Sequence, residues 1–270
     1  VTLSKVVKAA YTAEAVAGFT HRTAIEEAAR CLLCHDAPCS KGCPAGTDPA
    51  KFVRSIRFRN VKGAAETIRS NNVLGGSCAR VCPYDRLCEE ACSRCGIDRP
   101  IEIGKLQRYA IEQEEIFGMK TLEAGEAKPG KVACIGAGPA SLAAAAELRK
   151  AGYAVTIFEK EEKAGGVIRY VIPGFRIGDD AIDKDISFQS VIDHDVAMVE
   201  AMGVKFEFGK KVTIADVDDY DAVFVGTGLW GTKLPEIPGT ELKGGYAATD
   251  YLKAARTSGK QEGKKVVVIG

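Results

Sequence analysis

Cysteine placement constrains this chain more than any other feature. Of ten cysteines in 270 residues, all but Cys134 lie between Cys31 and Cys95. The first group reads Cys31-x2-Cys34-x4-Cys39-x3-Cys43-Pro44, and the second Cys78-x3-Cys82-Pro83-x4-Cys88-x3-Cys92, with Cys95 beyond it. A secreted disulfide scaffold would be small and would lack the nucleotide-binding features found downstream, so clustered thiolates here point to metal. Soft thiolates suit zinc or iron–sulfur clusters. Zinc sites favour paired C-x2-C knuckles, often with histidine. These spacings are mixed, and each half contains Cys-Pro. Ferredoxin-type runs end in Cys-Pro, and in two-cluster ferredoxins that last cysteine ligates the other cluster. By that analogy Cys31, Cys34 and Cys39 hold one [4Fe–4S] cluster, completed by Cys92. Cys43 crosses to a second cluster with Cys82 and Cys88, and counting cysteines nominates Cys78 as its fourth ligand. A zinc-stabilised interaction module is the alternative from another class.

Helices are expected around these groups. Asp48-Pro49 is a cap with a first-turn proline before an amphipathic segment to about Asn60, residues 62–70 form a second helix, and residues 101–117 a third. Metal cross-links would stabilise so thin a core. Lys+Arg 37 against Asp+Glu 36 gives no basic surface for a nucleic-acid backbone. The local Arg54-Ser55-Ile56-Arg57-Phe58-Arg59 patch reads as a solvated helix face. No apolar run approaches the length of a membrane span. Glu14 interrupts the apolar stretch that follows Lys5 and Lys8, which argues against a signal peptide and for a cytoplasmic protein. The chain opens on Val1 and stops at the first glycine of a motif, so it reads as a fragment.

Past a linker at 119–130 the pattern changes. Lys131-Val-Ala-Cys-Ile135 reads as a buried strand, with Cys134 in its core. It runs into Gly136-Ala137-Gly138-Pro139-Ala140-Ser141 and an alanine-rich helix to Lys150, and a strand at 155–158 ends at Glu159. This is a strand–turn–helix–strand unit for a dinucleotide. The glycines let a pyrophosphate approach the backbone, the helix N-terminus offers unpaired N–H groups, and Glu159 can accept from ribose hydroxyls. Ser141 stands where the fingerprint has its third small residue. Gly165-Gly166 and the strand 222–225 running into Gly226-Thr227-Gly228 favour a flavin. Residues 264–270 begin a second fingerprint strand, which suggests FAD in the first fold and NAD(P)H in the second. Residues 177–203 read as a polar helical region whose Asp193-His194-Asp195 is a solvated face. His21 and His35 have no partners suggesting catalysis, and no catalytic side-chain set is expected.

The stretch Ala29-Arg-Cys-Leu-Leu-Cys-His-Asp-Ala-Pro-Cys39 and the block Cys78-Ala-Arg-Val-Cys-Pro83 closely resemble the flavin/iron–sulfur subunit of bacterial NAD-dependent dihydropyrimidine dehydrogenase. The same architecture forms the N-terminal part of the longer animal enzyme and the small subunit of glutamate synthase. The resemblance is specific across 29–112 and more general from 130 onward. It implies that Gln107, in Pro100-Ile-Glu-Ile-Gly-Lys-Leu-Gln107, replaces Cys78 as a ligand of the second cluster, leaving Cys78 and Cys95 as free thiols. It also implies flavin contacts at Gly136, Gly138, Pro139, Ala140, Ser141 and Leu142. Further contacts fall on Glu159, Lys160, Gly165, Gly166, Val167 and Arg176, with Thr227 and Gly228 at the later turn. Gly178 to about Phe188 looks like an insertion relative to the family.

The expected class is α plus α/β: a helical two-cluster domain over 1–122, an incomplete Rossmann-like FAD domain over 130–262, and the first strand of an NAD(P) domain over 263–270. The resemblance implies electron transfer from NADH through FAD and two [4Fe–4S] clusters to the catalytic flavin/iron–sulfur subunit of a hetero-oligomer, which reduces uracil or thymine. The alternative within the superfamily is the small subunit of NADPH-dependent glutamate synthase.

Overall fold

A computed structural model describes residues 15–177, 190–240, 242–258 and 265–269. The segment Lys5 to Glu14 and the insertion beginning at Gly178 lie outside the described residues.

The first half is helical, and local chemistry sets its boundaries. Helix α1 (His21–Ala29) starts at Thr20, whose side chain accepts from Thr23 N–H while Thr23 returns a bond to Thr20 N–H. The short α2 (Pro38–Lys41) carries Cys39 immediately after a proline that pre-sets its first turn. Asp48 caps α3 (Pro49–Arg57) through Lys51 N–H and also accepts from Ser40 in α2, so one carboxylate ties the two helices together. Asn60 caps α4 (Val61–Arg69). Helices α5 (Gly75–Val81) and α6 (Ile103–Ile116) complete the layer. Phe52, Ile56, Ile68, Leu106 and Tyr109 from α3, α4 and α6 are fully buried against one another. Truncating one of them, as in Leu106→Ala, costs about 2–5 kcal/mol by the usual cavity penalty.

The second half is a parallel sheet. Strands β1 (Lys131–Ile135), β2 (Ala154–Phe158), β3 (Lys205–Glu207) and β4 (Ala222–Val225) stand in the order β3-β2-β1-β4. Helix α7 (Pro139–Lys150) crosses from β1 to β2, followed by α8 (Val167–Tyr170), α9 (Val191–Ala201) and α10 (Ala248–Ser258). The chain runs outward from β1 through β2 to β3 and returns on the other side of β1 with β4. The carboxyl ends of β1 and β4 therefore flank a topological switch point, where α/β sheets bind ligands. Cys134 is wholly buried in β1, as expected of a core residue. Described residues 265–269 join no strand, and Val266 to Ile269 are exposed.

The two halves share a core. Val73 and Leu74, on the loop from α4 to α5, pack with Leu142, Val191 and Ile192 of the sheet half. Here the structure corrects the reading of residues 177–203. The described helix is α9, and Asp195 is wholly buried rather than solvated. Val191, Ile192, Asp195 and Val199 form one stripe at helical spacing, so the carboxylate rides on the inward face. Acidic residues counted along the sequence hid that register.

Candidate functional site

The first cysteine group surrounds an apolar cavity. Cys31, Cys34, Cys39 and Cys92 line it, with Val53, Ile101 and Ile103 among the walls. Three of the four thiols come from the first run and one from the second, the set expected for one cluster. Leu33, between the first two, adopts φ 55, a left-handed conformation that a leucine rarely holds. It turns the Cys31-x2-Cys34 segment sharply. Arg57 donates to Cys31 O at 2.8 Å and Arg94 to Arg30 O at 2.8 Å, tying both flanks of the group to the helices. Arg57 of the basic patch is thus engaged, while Arg54 and Arg59 are exposed. Burial, and then the thiols of Cys92 and Cys31, push the Cys39 thiol up to about 11.

The second group gathers Cys43, Cys82 and Cys88, and Cys78 as well. Burial pushes Cys82 up to about 11, with Cys78 and then Cys43 adding to it. Cys88 is pushed up to about 12 by burial, then by Glu89, Cys82 and Cys43. Cys39 also acts on Cys88, so the groups are neighbours. Gln107 is buried on α6, and its Nε2 donates to Gly75 O at 2.8 Å. That leaves the amide oxygen as the end able to serve as a ligand. Cys95 is exposed and its thiol donates to Glu89 O. Among the described residues no three Cys, His, Asp or Glu side chains gather closely enough for a single metal ion. A cubane takes its thiolates from farther apart, around its corners, and Cys31, Cys34, Cys39 and Cys92 line one common cavity. The soft thiol donors of this apolar cavity fit a thiolate-ligated cluster, whose ligands lose protons as metal binds.

The turn after β1 opens onto a cleft of about 630 Å³ at the switch point. Gly136 holds φ +92, and a Cβ there would sit 2.7 Å from Gly226 O, so only glycine fits. Around Gly138 the nearest atom to a built Cβ is 3.9 Å away, which leaves room for a pyrophosphate against the backbone. Helix α7 begins at Gly138 and Pro139 with no side-chain cap and no acid in its first turn, so its N-terminal amides face the cleft unneutralised. Glu159 takes Ala137 N–H at 2.6 Å on one oxygen and Glu161 N–H at 3.0 Å on the other. It clamps the turn, and each oxygen keeps lone-pair capacity for a ribose hydroxyl. Ser141 is wholly buried and its hydroxyl has no hydrogen-bond partner among the described residues. Gly226 abuts it so closely that a Cβ there would lie 2.1 Å from the hydroxyl.

The cleft brings together Gly136, Gly138, Pro139, Ala140, Glu159, Lys160, Gly166, Val167, Thr227 and Gly228. Ser141, Leu142 and Gly165 are not on its lining; Gly165 N–H instead bonds Ala137 O and supports the turn. Arg176 departs from expectation. It lines a separate small cavity with Arg80, Tyr84, Lys105 and Arg108, because Phe175 O accepts from Ala15 N–H and holds that turn against the helical half. Sequence reasoning missed Tyr170, Lys210 and Trp230, which also line the cleft. Lys253 lies 5.4 Å over the Trp230 ring and 5.6 Å over Tyr170. Their only signal is position after the carboxyl ends of strands or within the α8 turn.

Residues 8–118 match the family described as dihydropyrimidine dehydrogenase domain II, 4Fe-4S cluster, and residues 130–270 that of pyridine nucleotide-disulphide oxidoreductases. The chain is 48% identical over 252 residues to the NAD-dependent dihydropyrimidine dehydrogenase subunit PreT of Escherichia coli, covering 91% of this chain and 58% of that one. It is 47% identical over the same span to PreT of Salmonella typhimurium. The chain thus spans less than two thirds of the length of the curated relatives it matches. A histamine dehydrogenase structure from a Rhizobium species aligns with a TM-score of 0.35 and 22% identity, over 68% of this chain and 24% of that one.

Proposed function

From the premise that this chain belongs to the pyridine nucleotide-disulphide oxidoreductase family, joined to a dihydropyrimidine dehydrogenase-type iron–sulfur domain, we propose that it is the electron-transfer part of an NAD-dependent dihydropyrimidine dehydrogenase. The observation that chiefly carries this reading is the shared apolar cavity of Cys31, Cys34, Cys39 and Cys92, which draws on both cysteine runs. In this reading those four hold one [4Fe–4S] cluster, and Cys43, Cys82, Cys88 and Gln107 hold the second. The boundaries are 1–122 for the cluster domain, 130–262 for the FAD domain and 263–270 for the start of an NAD(P) domain.

Bound flavin exchanges a nicotinamide hydride for single electrons, and bound clusters conduct them. The chain's own residues position and insulate. The Gly136–Gly138 turn and the uncapped start of α7 receive a pyrophosphate, while Glu159 holds the turn and accepts from ribose. Apolar side chains at Val53, Ile101 and Ile103 would back the first cluster's thiolates, and with nearby Arg94 they would tune its potential. Electrons then pass to a catalytic flavin/iron–sulfur subunit that reduces uracil or thymine. The setting in this reading is cytoplasmic.

The test is metal, sulfide and flavin content of anaerobically purified full-length protein, followed by NADH addition. About eight irons with sulfide and one FAD per chain, bleached by NADH, support the conduit. Zinc without flavin refutes it in favour of a structural module. NADPH-specific bleaching with a glutamate-forming partner would move the chain to the glutamate synthase branch.

A further inference from the structure

Between the helical layer and the sheet lies a charged cluster that neither cofactor site uses. Arg69, Glu114 and Asp195 are each wholly buried. Arg69 donates to Glu114 Oε2 from Nη2 at 2.6 Å and from Nε at 2.9 Å, to Glu114 Oε1 from Nε at 3.2 Å, to Asp195 Oδ1 from Nη1 at 2.6 Å, and to Val73 O. Glu114 also accepts from Thr121 and meets His194 Nε2 at 3.1 Å. Buried ion networks rarely add stability over a well-packed apolar core, and their best-attested use is to fix one geometry. The question is what this one fixes.

Asp195 supplies the answer. It belongs to α9 of the sheet half, yet its oxygens accept from Gly76 N–H at 3.3 Å and Ser77 N–H at 2.8 Å at the start of α5 in the helical half. Two glycines permit the approach. A Cβ on Gly76 would meet Asp195 and Val191 at 3.2 Å, and one on Gly75 would meet Ile68 at 2.6 Å. Helix α5 carries Cys78 and is closed by Cys82, and its first carbonyl, Gly75 O, holds the Gln107 amide. One short rigid segment therefore joins a carboxylate of the flavin half to candidate ligands of the second cluster.

We propose that Asp195 is a positioning residue for the second [4Fe–4S] cluster: by holding Gly76 and Ser77 it sets where α5 presents Cys82 and the Gln107 amide relative to the flavin-binding sheet. This rests on the cluster assignment above. Arg69 and Glu114 hold Asp195 in register, and the network passes the placement of the sheet to the cluster without touching it.

The experiment uses full-length holoprotein and Asp195→Asn, which keeps the shape and removes the charge. Cluster signals are read by electron paramagnetic resonance after dithionite reduction and assigned by which one Cys82→Ser and Cys39→Ser each remove. Iron, sulfide and flavin contents should stay at the wild-type level. The second cluster's signal should shift while the first stays fixed, and cluster reduction after NADH mixing should slow about tenfold with flavin reduction unchanged. If Asp195→Asn gives no soluble holoprotein, Arg69→Lys is read the same way, since it keeps the buried charge but cannot bridge both carboxylates. Both signals unmoved, or both moved together, would overturn the proposal even if stability fell. Wild-type protein lacking two cluster signals would instead sink the cluster assignment itself.

Discussion

Replacing Glu114 by glutamine tests the interdomain network through stability alone. The carboxyl is wholly buried, and burial by itself would raise its pKa by disfavouring the charged form. The hydrogen bond with His194, the Arg69 charge and the bond from Thr121 outweigh burial and bring it down to about 2, from an ordinary value of 4.5. A carboxyl depressed in the folded state stabilises that state above its ordinary value, and the contribution is lost as pH falls from there through about 2. At pH 7 it is therefore present in full, and a depression of this size corresponds to about 3 kcal/mol. An independent route agrees, because breaking a buried pair by removing one charge costs about 3–5 kcal/mol. Glutamine keeps the shape and one acceptor, so lost packing cannot account for the result. At about 2–4 °C per kcal/mol, Glu114→Gln should lower the unfolding midpoint of the holoprotein at pH 7 by about 6–12 °C. Circular dichroism of both proteins, heated at one scan rate, reads the difference. A fall of less than about 2 °C would refute the argument, since the network would then hold its charges no better than water does.

Three further outcomes follow from the sites. Cys39→Ser should lose one cluster and keep the other, seen as about half the iron and one surviving paramagnetic signal; loss of neither would end the ligand scheme. Gln107→Ala should alter the second cluster's spectrum while Cys78→Ala leaves it unchanged, and the reverse would install Cys78, which the fold sets beside Cys82, as the ligand. Gly136→Ala forces a Cβ to 2.7 Å from Gly226 O at φ +92, so flavin content should fall with iron content intact. Flavin retained at the wild-type ratio would show that the turn tolerates a side chain and does not cradle the cofactor.

Much of this was legible because the signals are local. Asp48-Pro49 announces a helix start through its own capping chemistry, and the observed bounds of α3, α4 and α6 fall within a few residues of those expected, whereas the short α2 at Pro38 was not anticipated. The β1 turn and Glu159 announce the cleft in the same way. What the sequence concealed was long-range. Asp195 looks like one of several acids in a polar stretch until the helix register sets it on the stripe with Val191, Ile192 and Val199. Arg69 shows no local sign of being buried, because its partners lie 45 and 126 positions away. Arg176 was expected at the flavin, but the path of its turn depends on Ala15, a contact no motif records.

Each site pairs a local motif with a remote element that completes it, and the remote half explains the departures from pattern. In the first cysteine group the turn at Leu33 arranges Cys31 and Cys34, but the fourth wall is Cys92, some sixty residues on. In the dinucleotide cleft the missing third small residue at position 141 looks like a defect of the fingerprint. The β4 turn accommodates it. Gly226 offers its backbone both to Gly136 and to Ser141, and it has no Cβ to collide with the serine hydroxyl at 2.1 Å. A bulkier residue at 226 would displace Ser141 and the start of α7 together. The serine and the glycine are therefore one packing unit split between helix α7 and the turn after β4, and a fingerprint read along a single segment sees only half of it.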